Sequence, residues 1–71
     1  MNYKSIFELA NSLNRDVKVT RANSPVIIGK VKFALDDHVV INSNKKEYVV
    51  FAKDITGVEI LNKKVVGMKN D

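Results

Sequence analysis

Two stretches of this 71-residue chain, Val39-Val40-Ile41 and Tyr48-Val49-Val50-Phe51, are apolar without alternation. Side chains of a strand point alternately to its two faces, so runs of this kind belong to strands covered on both sides. The chain has one helical pattern to offer as cover, and one helix cannot hide both faces of a five-stranded sheet. The sheet must curl into a barrel, pack on other subunits, or do both.

Size points the same way. At 71 residues there is room for one domain, and a domain this small is marginal on its own core. Such chains usually need a staple. With no cysteine and one histidine, disulfides and a Cys/His zinc site are excluded. Self-association is the staple that remains, and the lack of cysteine fits a reducing compartment. A net charge of +4 and a pI near 9.5 are ordinary for a small soluble domain. Multiplied around a ring, the same charge attracts polyanions. No apolar run nears the ~20 residues a spanning helix needs. Met1 to Glu8 lacks the basic-then-apolar layout of a signal peptide, so a cytoplasmic location is expected.

Residues 4–14 read as a helix, with Ile6, Leu9, Ala10 and Leu13 on one face. Ser5 and Glu8 have capping-box spacing at its start, and Asn14 suits a left-handed stop. From Asp16 the chain turns β-branched. Val17, Val19 and Arg21 alternate with Lys18 and Thr20, and Asn23-Ser24-Pro25 is a turn. A longer strand from Val26 to Leu35 puts Val31, Phe33 and Leu35 on one face and Lys30 and Lys32 on the other. Gly29 inside it marks a bend or bulge. After Asp36-Asp37 come a short third strand, a turn at Asn42-Ser43-Asn44-Lys45, and a fourth strand from Glu47 to Lys53. A tight join at Asp54 leads to a fifth strand, Ile55 to Leu61. The expected fold class is thus mostly β with one N-terminal helix, residues 1–61 forming the domain and 62–71 a short basic tail.

A helix followed by five short strands, with a bent second strand and a minimal fourth-to-fifth join, resembles the Sm-like family. Gly29 to Ile41, GKVKFALDDHVVI, looks like that family's first motif, a strand glycine and alternating apolar residues followed by an Asp-x-His/Phe turn. Phe51 to Val58, FAKDITGV, looks like the second motif in its bacterial, Hfq-type form. The resemblance spans about residues 4–61. It implies a five-stranded bent sheet or small open barrel, assembled as a homo-oligomeric ring of six copies in preference to seven. It further implies an RNA chaperone that binds uridine-rich single-stranded RNA in pore-side pockets. By position, His38 would stack on a base, Asp37 would be its polar neighbour and Lys53 the basic residue beside the pore. Phe51 would stand at the aromatic position of the fourth strand, and Ser5 or its neighbour at the helix start near the same pore.

The departures are specific. The family's Lys-His pair at the join is Ala52-Lys53 here. The polar residue before the stacking ring is the anion Asp37, and the first hairpin is short. Each candidate also has a plainer reading. His38 is either a base-stacking ring or a turn histidine held by Asp36 or Asp37. Asp36 is a turn-capping carboxylate, and it cannot converge with Asp37 as an acid–base dyad if the two point to opposite faces. Lys53 is a phosphate ligand or a solvated strand end. Lys45-Lys46 and Lys63-Lys64 read as solvated charge. Gly29 and Gly57 are backbone devices, and Tyr48 and Phe51 belong to a core or an interface. No cysteine nucleophile, Ser-His-Asp pattern, phosphate-cradling glycine loop or metal cluster is present in the sequence, so neither an enzyme nor a cofactor is expected. Two other readings stand beside the RNA-binding ring. One is a small-barrel protein-interaction or ribosome-associated module, and the other is a scaffold of the same fold without RNA affinity.

Overall fold

The computed structural model describes residues 3–62. The tail expected over 62–71, with Lys63 and Lys64, lies outside the described residues from position 63 on. The chain opens with helix α1 (Tyr3–Ser12). Five strands come next: β1 (Asp16–Arg21), β2 (Ser24–Ala34), β3 (His38–Ser43), β4 (Lys46–Phe51) and β5 (Ile55–Ile60). A single 3-10 turn at Ala52–Asp54 links the last two. All pairings are antiparallel, in the order β4-β3-β2-β1-β5. The last two strands in sequence are therefore the two outer edges of one sheet.

The helix stops where the sequence predicts. Asn14 takes φ 57°, the Arg15 N–H donates to the Ala10 carbonyl and the Asn14 N–H to that of Asn11, each at 3.0 Å. This 6→1 and 5→2 pair is a Schellman stop, pinned from outside by the Lys30 ammonium on the Asn14 side-chain oxygen at 2.8 Å. The start differs from expectation. Ser5 lies inside α1 and not at its N-cap. The buried face differs too. Phe7 and Ala10 are buried, with Tyr3 packed beside them, while Leu9 and Leu13 are exposed. Tyr3, Phe7 and Ala10 are also helically spaced, and the two aromatics remove more area from water than the leucine stripe would.

Strand β2 carries the bend. Its Ile27, Gly29 and Val31 face the core. The pairing to β3 then shifts between Val31 and Phe33, a bulge that reverses the facing of the residues beyond it. Phe33 and Leu35, expected in line with Val31, are consequently 48% and 43% exposed, and Ala34 packs on the core instead. The Asn11 amide donates to the Val31 carbonyl at 3.0 Å and to the Lys32 carbonyl at 3.4 Å. The helix thus ties itself to the backbone at the bulge. Gly29 is required by close approach. A Cβ there would fall inside van der Waals contact of the Asn42 carbonyl oxygen across the β2–β3 pair. At Gly57 the nearest atom to such a Cβ is 3.8 Å away on Thr20, so nothing within the chain demands that glycine. Pro25, expected in a turn, is the second residue of β2. The pairing to β3 begins only at Lys30, so the missing N–H there deprives no β3 carbonyl.

The core gathers Phe7, Ala10, Val17, Val19, Ile27, Val31, Val39, Ile41, Val50 and Ile55. The two apolar runs fare differently. In β3 all of Val39, Val40 and Ile41 are buried. Val40 points away from the core and is roofed by its cross-strand neighbours Phe33 and Val49. In β4 only Val50 is buried; Tyr48, Val49 and Phe51 are exposed, Val49 at 54%. The expectation of cover on both faces holds within the chain for β3 and fails for β4.

Candidate nucleic-acid interface

The residues singled out at the β2–β3 turn and the β4–β5 join are brought together by two backbone contacts. The Leu35 N–H donates to the His38 carbonyl at 2.8 Å, closing the Asp36-Asp37 turn. The Ala52 N–H donates to the Asp37 carbonyl at 2.9 Å, fastening that turn to the join. His38 and Phe51 are a cross-strand pair, with ring centroids 5.9 Å apart and planes tilted by 52°. Lys53 lies just beyond, within the 3-10 turn. The two backbone bonds and the cross-strand pair thus bring Asp37, His38 and Phe51 together, and Lys53 follows Phe51 by two residues.

The His38 Nδ1 lies 2.7 Å from an Asp37 carboxylate oxygen. The His38 side chain is 27% exposed and that of Asp37 82%. The hydrogen bond from His38 holds the Asp37 carboxyl below its usual value of 3.8, against an opposing effect of desolvation. Of the two aromatic rings, Phe51 offers the more open surface. Lys53 is extended into solvent, 3.4 Å from the neighbouring Asp54 carboxylate. Such exposed pairs are weak and yield easily to a better anion.

Asp36 takes a separate path. Its carboxylate meets the Lys4 ammonium at 3.4 Å, while Asp37 meets His38, so the two carboxylates do not converge on one atom. The turn it was expected to cap is closed by the backbone bond from Leu35. Ser5 is exposed on α1 and stands outside the hollow beside His38. The helix lines that hollow with Tyr3, Lys4 and Phe7, opposite Leu35, Asp36, His38, Ala52 and Ile55. Of Ser5 and its neighbours at the helix start, it is Lys4 that lines the hollow. Its spacing of one turn from Glu8 gave no hint of a partner 32 positions away.

The hollow measures about 90 Å³, well under the ~300 Å³ at which pockets enclose a small molecule. One chain thus presents a niche with an aromatic floor and a charged rim, open to whatever lies beside it. A larger groove of about 740 Å³ runs over the β2–β3 pair, where Ile28, Lys30 and Asn42 are among its walls; it shares none of the cluster's residues. No group of three or more His, Cys, Asp or Glu side chains suited to a metal ion is present among the described residues. No helix among them is long and apolar enough to cross a membrane.

No family model and no curated protein matches the sequence. Among solved structures, a crystal structure of the pleiotropic translational regulator Hfq matches with a TM-score of 0.72 at 18% identity, over 79% of this chain and 93% of that chain. Helix first, then five antiparallel strands in a bent open sheet whose edges are the fourth and fifth, the chain has the Sm-like fold in the form found in Hfq.

Proposed function

We propose that this chain assembles into a closed homo-oligomeric ring, of six copies in preference to seven, and binds single-stranded RNA in niches repeated around the pore. The observation that carries the reading is the pairing of the His38 and Phe51 rings beside the Asp36-Asp37 turn, with Lys53 two residues further on in the join between the two edge strands. Pairing β4 of one copy with β5 of the next satisfies both edges and covers Tyr48 and Val49. Six copies of +4 give about +24 on one particle, a strong attraction for a polyanion. His38 and Phe51 provide aromatic surface for bases, and Lys53 a charge for phosphate. Uridine-rich RNA is the class the family resemblance implies. The ring acts as a cytoplasmic RNA chaperone by holding strands at high local concentration, without catalysis or cofactor.

Light scattering after gel filtration, with and without labelled oligouridine at two salt concentrations, tests this. A particle of about 48 kDa (six chains of 8.0 kDa) is expected, with RNA bound more weakly at high salt. His38→Ala and Lys53→Ala should each weaken binding several-fold and leave the particle size unchanged. Unaltered affinity in both would remove these residues from the site. The same open edges support a second reading, a module that adds a strand from a foreign protein. A monomer that binds no RNA would transfer the case to it, and a ring that binds none would leave an assembly scaffold.

A further inference from the structure

The polar group beside the His38–Phe51 pair, next to the hollow, is unusual in what it can recognise. Asp37 is ionised, so it only accepts, and the hydrogen it shares with His38 at 2.7 Å sits on the histidine Nδ1. In the neutral ring the remaining nitrogen, Nε2, is then an acceptor as well. One Asp37 oxygen serves His38, and the side chain is 82% exposed. A base laid against the aromatic pair would therefore meet a wall of acceptors with its hydrogen-bonding edge.

The four bases answer that wall differently. Guanine carries two adjacent donors, N1–H and the N2 amino group, at the spacing of a carboxylate's two oxygens. Uracil carries one N–H flanked by two carbonyl oxygens, which would face Asp37 acceptor to acceptor. Adenine and cytosine each set one amino donor beside a ring acceptor. We infer that Asp37 makes the His38–Phe51 surface select guanine over uracil within single-stranded RNA, an inference that rests on the RNA-binding reading above. Oligouridine then binds through stacking and phosphate contact alone, with Lys53 offsetting the Asp37 charge toward the backbone. Guanine adds a two-point hydrogen bond, an arrangement worth about tenfold in discrimination.

Fluorescence anisotropy with the full chain tests the assignment. Three labelled heptamers serve as probes: heptauridine, the same oligomer with alternate uridines replaced by guanosine, and one with inosine in their place. The guanosine oligomer should bind roughly tenfold tighter than heptauridine. Inosine, which keeps N1–H and lacks the amino group, should fall between them. Asp37→Asn presents a donor as well as an acceptor and should erase the gap or reverse it. Glu8→Gln removes a negative charge at an exposed position of α1 outside the hollow and should preserve it. Equal affinities in the wild type, or a gap that survives Asp37→Asn, would overturn the inference while the RNA-binding reading stands. If none of the three oligomers binds, that reading fails and takes the inference with it.

Discussion

Asp37 and Asn11 mark two extremes of how much of a side chain's role is visible from its neighbours in sequence. Asp37 lies next to His38 in the chain, and its carboxylate is tied to that ring. Its folded value is depressed by the hydrogen bond it accepts, so the contact persists above about pH 4 and is lost as pH falls through the lowered value. Carboxyl-carbon NMR should place the Asp37 midpoint below 3.8 in the wild type. In His38→Ala it should return toward that figure; a midpoint indifferent to the substitution would dismiss the hydrogen bond as its cause. Asn11 bonds carbonyls 20 and 21 positions away, a partner that only the tertiary fold supplies. Asn11→Ala leaves the bulge carbonyls without that donor and should cost about 1–2 kcal/mol, read as a lower urea midpoint at fixed protein concentration. An unchanged midpoint would mean that water replaces the amide at no cost.

At the scale of elements, the order helix-then-five-strands was legible because turn residues and β-branched runs punctuate the chain. Which faces were buried was less so. Ile6, Leu9, Ala10 and Leu13 satisfy the helical period as well as Tyr3, Phe7 and Ala10 do, and only the curvature of the sheet beneath selects the second set. Phe33 and Leu35 continue the parity of Val31 in sequence; the shift at Lys32 exchanges inside and outside, and no residue there announces it. The His38 cluster was legible in part. Its motif residues were named from local pattern, whereas Lys4 enters through the helix packing. The β3–β4 hairpin carries a cost of its own. Asn44 and Lys45 form its two-residue loop with φ of 54° and 67°, the geometry in which Asn-Gly is preferred. A lysine in that conformation is strained by about 1–2 kcal/mol. Lys45→Gly should therefore raise stability by about 1 kcal/mol in thermal or urea unfolding; a loss would show that the lysine side chain has a compensating contact.

For the whole molecule, the telling surface is the strip Phe33–Val40–Val49, which crosses β2, β3 and β4 on the outside of the sheet and ends at an open edge. Apolar surface leading to unpaired backbone groups is what a strand-to-strand neighbour covers. Val49→Lys puts a charge on that edge without touching the core. Sedimentation should show the proposed ring broken down to monomers or short arcs, and an intact ring would exclude this strip from the contact between copies. The placement of β4 and β5 at opposite ends of one sheet has a further consequence. Each chain then carries one socket and one plug of six residues each, and growth is head to tail until the circle closes. A copy with one end spoiled and the other sound acts as a chain terminator. With about one such copy in ten, roughly half of all six-membered circles would include at least one. A defect in a single edge strand would therefore be felt well beyond its share of the molecules made.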